Sequence, residues 1–157
     1  MADTTELDLD RFLPYRLSVL SNRMSQAIAR IYAERFDLSI TEWRVMAVLG
    51  LRPNLSAVEV AERTAMDKVA VSRAVARLIE AGRVVRAVAA GDRRRSRLRL
   101  SAAGRRIHRQ VAPLALAFEH EALSALTVAE RVRFGRLLDK LCAALPPSEP
   151  GDAEAAR

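Results

Sequence analysis

The chain of 157 residues contains one cysteine, Cys142, which excludes an internal disulfide and is typical of a reducing compartment. Its aromatic residues are one tryptophan, two tyrosines and four phenylalanines, too few for the stacking platforms that bind single-stranded nucleic acids. No apolar run approaches the roughly 18 residues of a membrane span. The N-terminal residues 1–12 contain four acids and no apolar core, unlike a signal peptide. These absences predict a soluble, cytoplasmic protein without a membrane segment.

Motifs of enzymes and of metal sites are also missing from the sequence. It has no glycine-rich phosphate loop, no pair of carboxylates on one periodic face, and no nucleophile beside a base in a recognisable motif. His108 and His120 have no cysteine cluster near them, so we expect surface or interface histidines and not a metal site. The sequence therefore predicts no catalysis, no cofactor and no metal ion.

The positive charge of the chain is concentrated in residues 83–106. Nine arginines stand there against one acid, Asp92, so this segment carries a net charge of +8 while the whole chain carries +7. Such a concentration favours a polyanionic partner. Because an arginine run alone is more often a solvated face, its meaning depends on the elements around it.

Residues 66–82 predict a helix with two different faces. Asp67 is a suitable N-cap, and Gly82 ends the helix where a positive φ is often needed. Apolar residues at helical spacing form a stripe that we expect to be buried: Val71, Val75 and Leu78. The opposite face carries small or basic side chains, as a helix that enters the major groove of DNA requires.

A β-hairpin with an arginine-rich tip is predicted to follow this helix. Residues 84–88 are rich in valine, and residues 97–100 alternate strictly between arginine and leucine, which is typical of two strands. Residues 90–96 between them read as a turn with three consecutive arginines. Arginines at such a tip can contact phosphates or enter the minor groove, where the negative potential is strongest.

Two shorter helices are predicted upstream by their N-terminal signals. Ser39 with Glu42, and Ser56 with Glu59, stand at the spacing of a capping box. The second of these helices is short, and residues 64–66 form the turn into the Asp67 helix. Two helices joined by a tight turn predict a helix-turn-helix, and the hairpin behind them makes the motif winged.

Long apolar helices are predicted on both sides of this module. One has helical periodicity from Asp10 to Phe36, one begins after Ser101, and the last begins with a Thr127–Glu130 capping box. Pro113 predicts a bend, or a strict break, in the second of these helices. Because the small module cannot cover these stripes, we expect a homodimer in which the flanking helices interdigitate. The alternative is a monomer with the flanks folded back.

These elements predict a mainly α fold, a winged helix-turn-helix with a small β-hairpin wing and long flanking dimerisation helices. The expected organisation is an N-terminal dimerisation helix over residues 9–37 and a winged helix-turn-helix module over residues 38–101. C-terminal dimerisation helices follow over residues 102–146, and a polar tail without periodicity, predicted to be disordered, covers residues 147–157.

This order of elements resembles the MarR (multiple-antibiotic-resistance regulator) family of bacterial repressors over residues 9–145. The wing of that family carries Asp-x-Arg, then five residues, then Leu-Thr. Here Asp92-Arg93-Arg94 is followed, after residues 95–99, by Leu100-Ser101, so only the threonine differs. Residues 41–46 and 66–73 also resemble family sequences at matching positions.

The resemblance implies a dimer that binds pseudo-palindromic double-stranded DNA. Arg94 would enter the minor groove and Asp92 would orient it, with Arg93 and Arg95 beside them on the wing. Ser56, at the start of the third helix, would contact phosphate. The recognition helix would face the major groove through five residues, of which the last is the candidate for a bidentate guanine contact: Lys68, Val69, Ala70, Ser72 and Arg73.

The resemblance also implies an effector pocket near the dimer helices, lined by Tyr15, Arg16 and Trp43. Arg16 precedes Leu17 of the apolar stripe, so we expect it to be partly buried and suited to a carboxylate between flat aromatic walls. The expected effector is a small aromatic carboxylate. The alternative is that Arg16 is a salt-bridged surface residue and Trp43 a core residue. Cys142, among leucines of the last helix, is expected to be inert packing and not a redox sensor.

The sequence thus predicts a sequence-specific DNA-binding transcriptional regulator, a repressor by its resemblance, which acts as a homodimer and is released by a small ligand. The alternative is an architectural DNA-binding protein without a ligand. The charge of such a protein would be spread widely for phosphate contacts. Here the charge is focused on the wing, and the recognition helix keeps a small polar face.

Overall fold

A computed structural model describes residues 7–89 and 92–145, and the side chains of residues 88–95 lie outside that description. The elements are, in chain order, α1 (Leu13–Phe36), α2 (Ile40–Leu51), α3 (Ala57–Thr64), α4 (Lys68–Glu80), β1 (Val84–Ala89), β2 (Asp92–Leu100), α5 (Ala102–Ala122), a 3₁₀ turn (Leu123–Ala125) and α6 (Val128–Ala144). Helices with a two-stranded antiparallel sheet confirm the predicted fold class. The predicted polar tail, residues 147–157, lies outside the described residues.

The chain divides into two units, the first ending at Ile40 and the second beginning at Thr41. The first contains α1, which begins at Leu13 and not at Asp10, where the apolar periodicity placed its start. Pro14 lies in the first turn, where a helix needs no N–H donor, and so fixes the start there. The helix ends at Phe36, and the C-cap residue Asp37 adopts a left-handed φ of 48°.

The core of the second unit is built from one face of each of α2 to α5 and from one face of the hairpin. Its fully buried apolar side chains come from all of these elements: Val45, Met46, Leu49, Val60, Val71, Val75, Leu78, Val84, Leu98 and Val111. Burial of one such side chain contributes about 1.5–3 kcal/mol, so this stripe-on-stripe packing dominates the stability of the module. The stripe predicted for α4 is confirmed.

The helix starts follow the local signals in the sequence. As predicted, the N-cap side chains accept hydrogen bonds from free amides of the first turn, and two of the caps are reciprocal capping boxes. The N-caps are Ser56 with Glu59 for α3, Asp67 for α4, Ser101 for α5 and Thr127 with Glu130 for α6. Gly82 after α4 has a φ of +67°, which confirms its predicted role in ending that segment.

The hairpin differs from the prediction at its tip. Strand β2 begins at Asp92, so residues 92–96 belong to a strand and not to a turn. The antiparallel register pairs Val88 with Ser96 but the next residue, Ala89, with Asp92. The backbone of residues 93–95 is therefore extra on one strand, and no residue of β1 pairs with it. Such an irregularity bends a strand and increases its twist, which alternating side chains alone do not reveal.

Helices α5 and α6 leave many apolar side chains exposed. Helix α5 continues without a break through Pro113, so the strict break left open by the sequence does not occur. Cys142 on α6 is exposed in the single chain, contrary to the expectation that it packs among leucines. The large exposed apolar side chains of these helices are Leu114, Leu116, Val128, Val132, Phe134, Leu137 and Leu141.

No helix among residues 7–89 and 92–145 is by itself long and apolar enough to cross a membrane. Only the pair formed by Ala102–Ala125 and Val128–Ala144, bent by 109°, meets that criterion by length and composition.

Candidate nucleic-acid interface

Helix α4 presents a free face of small and basic side chains. Asp67 starts the helix by accepting the Ala70 amide at 2.9 Å, which sets the direction of the first turn. Because Val71, Ala74, Val75 and Leu78 are buried, the remaining positions point away from the core. The predicted contact residues Lys68, Val69, Ser72 and Arg73 are exposed, and Ala70 is half-buried. Four of the five predicted residues therefore share an open face.

The exposure of Val69 supports a contact function for this face. This valine is 56% exposed on a helix whose other valines, Val71 and Val75, are fully buried. An apolar side chain on the free face of a recognition helix can pack on the methyl group of thymine, while a neighbouring arginine reads guanine. The face thus presents an exposed apolar side chain, Val69, and an exposed arginine, Arg73.

Ser56 lies at the N-terminus of α3, where it is the N-cap residue of the helix. Its side chain accepts the Glu59 amide at 3.2 Å, and its own amide donates to Glu59 Oε2 at 2.7 Å. These two bonds satisfy amides that the first turn would otherwise leave free. A phosphate contact by Ser56, which the resemblance implied, is not tested by this geometry.

The wing carries an ion pair that sequence reasoning missed. Arg97 on β2 donates from its guanidinium to Glu59 Oε2 at 2.6 Å and to the carbonyl oxygen of Asn54 at 3.3 Å. The two charged residues are 38 positions apart, so no local spacing connects them. From the sequence, Glu59 was interpreted as part of a capping box, and Arg97 as one arginine of the basic segment. Only the strand pairing in the fold brings them together.

Hydrogen bonding holds the Glu59 carboxyl in its charged form. Its pKa is lowered from the usual value, first by the backbone amide of Ser56 and then by the Ser56 side chain. Desolvation, the next largest effect, raises the pKa, and the positive charges of Arg97 and Arg63 lower it again. The carboxylate therefore stays charged within the basic surface.

The predicted DNA-binding residues Asp92, Arg93, Arg94 and Arg95 lie at the start of β2. Their backbone forms the irregular part of the ladder, and their side chains lie outside the description of the structure. The predicted orientation of Arg94 by Asp92 therefore stays a prediction. What the structure adds is the position of their backbone, at the end of the hairpin distant from α5.

The three residues of the predicted effector pocket are divided between the two units. Tyr15 and Arg16 lie on α1 in the first unit, and Arg16 is exposed, contrary to the expectation that it is partly buried. They border an open cavity of about 350 Å³ lined by Asp10, Tyr15, Arg16, Val19, Leu20 and Arg23. Trp43 is half-buried on α2 in the second unit. A pocket shared by all three stays a prediction.

Trp43 instead contacts His108 of α5, a pairing that the sequence did not indicate. The centroids of the two rings are 5.6 Å apart and the rings are tilted by 30°. Desolvation by burial lowers the pKa of His108. His108 was expected at the surface or at an interface, and it is half-buried. Within residues 7–89 and 92–145, no group of three histidine, cysteine or acidic side chains could hold a metal ion.

Helices α3 and α4, the hairpin behind them and the exposed small and basic face together define a winged helix-turn-helix DNA-binding protein. A family model described as MarR family matches residues 36–95, which run from the end of α1 into β2. This match covers the helix-turn-helix and the start of the wing, and it supports a MarR-family winged-helix regulator.

Known proteins of this family are similar to the chain along most of its length. An HTH-type transcriptional repressor of Mycobacterium tuberculosis is 27% identical over 131 residues, which cover 83% of this chain and 91% of the repressor. The structure of a MarR/EmrR family regulator from Acinetobacter sp. ADP1 matches with a TM-score of 0.80 and 25% identity, covering 88% of this chain and 97% of that one. PcaV of Streptomyces coelicolor, solved with its natural ligand, matches with a TM-score of 0.69, 25% identity and the same coverage of both chains, 88% and 97%.

Proposed function

We propose that this protein is a sequence-specific transcriptional repressor that binds a pseudo-palindromic operator as a homodimer in the cytoplasm. The proposal rests on the free face of α4. On this face Val69 and Arg73 are exposed, whereas the valines and the leucine of the opposite face are buried. A protein that only neutralised phosphate would need no exposed apolar reader on this face. Repression is supported by the relative from Mycobacterium tuberculosis, which is named a repressor.

The proposed division of labour follows the charge and size of the side chains. Lys68, Val69, Ala70, Ser72 and Arg73 face the major groove. Asp92 to Arg95 reach the minor groove and its phosphates, and Ser56 contacts the backbone at the start of α3. Phosphate contacts position the protein, and base contacts select the sequence.

A homodimer is supported by the exposed apolar side chains of the flanking helices. Phe12, Leu13 and Leu20 of the first unit are 41%, 49% and 47% exposed. In the second unit the apolar side chains of α5 and α6 are exposed in the same way. These exposed apolar side chains are what a dimer interface between the flanking helices would cover. Residues 9–37 and 102–146 would form the dimer, and residues 38–101 would place two recognition helices about one DNA turn, roughly 34–36 Å, apart.

We further propose that a small aromatic carboxylate releases the protein from its operator. Arg16 and Tyr15 line the cavity on α1, where a guanidinium can pair with a carboxylate beside an aromatic ring. The proposal is supported by PcaV, a protein of this fold and 25% identity that was solved in complex with its natural ligand.

The test is fluorescence anisotropy with duplex DNA from the intergenic region upstream of the gene, measured against excess random duplex. We expect the upstream duplex to be preferred by about a thousandfold, as a regulator requires. Adding a panel of aromatic carboxylates should release it with at least one compound, and the Arg16→Ala variant should not respond to that compound. Equal affinity for both duplexes would favour the architectural alternative. Preference without release would leave the repressor and remove the effector.

A further inference from the structure

One oxygen atom joins the wing to the helix-turn-helix. Glu59 Oε2 accepts the Ser56 amide at 2.7 Å and the Arg97 guanidinium at 2.6 Å. The same guanidinium nitrogen also donates to Asn54 O at 3.3 Å. Arg97 and Glu59 are both about half exposed, so the pair lies at the surface of the module and not in its core.

The backbone of β2 is attached at the same place. The Leu98 amide donates to Leu55 O at 2.7 Å, and the Asn54 amide donates to Leu98 O at 2.9 Å. Leu55 and Leu98 form a bridge outside the hairpin ladder, and both side chains are buried. The segment before α3 is thus joined to β2 at a single β-bridge. The ion pair lies one residue from this bridge, where it can hold the strand in register.

We propose that Glu59 is a positioning residue for operator recognition: through Arg97 it holds β2 against the start of α3 and so sets where the wing lies relative to α4. This inference rests on the proposed DNA-binding function. Phosphate and minor-groove contacts by the wing and base contacts by α4 must be made together, so the distance between the two elements decides which DNA satisfies both.

Because Glu59 is negatively charged, removing its charge has an expected effect on DNA binding that differs from the effect of losing its contact with Arg97. A carboxylate on a basic DNA-binding surface repels phosphate, so its removal by itself should strengthen binding to every duplex. If Glu59 positions the wing, its removal should instead weaken binding to the selected duplex relative to random DNA. The first effect changes the affinity for every duplex alike, whereas the second changes the ratio of the two affinities, so the two can be measured separately.

The variant to compare is Glu59→Gln, because a glutamine at this position can still accept the Ser56 amide and keep the cap. Glu130→Gln is the matched control, since Glu130 caps α6 through Thr127 in the same way and, within the described residues, its carboxylate forms no ion pair with an arginine. Arg97→Ala removes the other half of the pair, and Arg97→Lys retains a cation that can reach Glu59. Affinity is measured for the duplex that the unmodified protein selects from a random library and for random duplex.

Glu59→Gln and Arg97→Ala should each lower the preference for the selected duplex by about threefold or more, the scale of a half-exposed ion pair. Arg97→Lys and Glu130→Gln should leave that preference unchanged. Tighter binding of Glu59→Gln to both duplexes, with an unchanged ratio, would overturn the proposal.

Hydrogen exchange of the Leu98 amide gives a readout that does not depend on DNA. We expect faster exchange in Glu59→Gln and in Arg97→Ala but not in Glu130→Gln, because the strand opens more often without the pair. Unchanged exchange in all variants would overturn the positioning role. If the unmodified protein selects no duplex, the proposed function fails and the role in recognition fails with it, while the exchange rates still decide whether the pair holds the strand.

Discussion

The imidazole ring of His108, on α5, occupies the space that a side chain at Gly50, on α2, would need. A Cβ atom at residue 50 would overlap the Nε2, Cδ2 and Cε1 atoms of that ring. The ring also contacts Trp43, which precedes Gly50 by about two turns of α2, and the two ring centroids are 5.6 Å apart. Because residue 50 is a glycine, the His108 ring of α5 can pack directly against the backbone of α2.

Gly50→Ala should destabilise the protein although alanine favours helices. Overpacking costs about 1–3 kcal/mol, whereas the gain in helix propensity is at most about 1 kcal/mol. In a His108→Ala background the ring is absent, and the same substitution should become neutral or stabilising. Urea unfolding of the two single variants and the double variant, at one protein concentration, measures this coupling. Additive effects would show that the ring and residue 50 do not compete for space.

The stability of the protein should fall in mild acid because of His108. Burial lowers its folded-state pKa below the usual 6.5, so the unfolded chain binds more protons between the two values. The stabilising contribution is thus complete above about pH 6.5 and is lost as the pH falls toward the folded pKa. Unfolding free energies between pH 7.5 and 5.5 should decline less steeply in His108→Gln than in the unmodified protein. His120→Gln, which changes an exposed histidine of the same helix, should keep the steeper decline.

Gly104→Ala should strongly destabilise the fold, whereas Gly135→Ala should not. A Cβ at residue 104 would overlap the backbone carbonyl oxygen of Arg83, which cannot rotate away as a side chain can. A Cβ at residue 135, in the middle of α6, would have no atom within 4 Å. We expect a loss of about 3 kcal/mol or more for the first and a gain of about 0.5–1 kcal/mol for the second, measured by urea unfolding. Equal effects would contradict the close approach of α5 to the turn after α4.

Arg94→Ala should weaken binding to all DNA sequences and lower the slope of log K against log salt by about one. The reason is that an arginine in the minor groove or on phosphate releases counterions whatever the sequence. Arg133→Ala, which removes the same charge from α6, is the control and should leave the slope unchanged. An unchanged slope in Arg94→Ala would refute the placement of this arginine on DNA.

Arg73→Ala should act differently, by relaxing selectivity at one base pair in each half-site. A bidentate contact to guanine discriminates by about 1–3 kcal/mol, so single-base variants at that position should become nearly equivalent. Affinities for a set of duplexes with each base pair replaced in turn measure the effect. Uniform weakening across the set would instead indicate a phosphate contact.

Local signals predicted the elements of this protein well because capping and periodicity act within a few residues. Ser56, Asp67, Ser101 and Thr127 start helices as predicted, and the buried stripe of α4 follows from its spacing alone. The start of α1 was missed, since apolar periodicity continues upstream of the point where Pro14 stands in the first turn. The extent of β2 was also missed, since arginines 93–95 resemble a turn and their extra backbone shows only in the strand register.

The sequence by itself determined the order and the type of the helices and strands among the described residues, and the charge that concentrates on the wing. Those properties depend on near neighbours, on the amide that a serine can cap and on the side of a helix that valines share. Only the tertiary structure decided that Glu59 pairs with Arg97 and that His108 lies over Gly50. Both contacts join residues far apart in the chain, and their geometry depends on how whole elements pack, which no local spacing specifies.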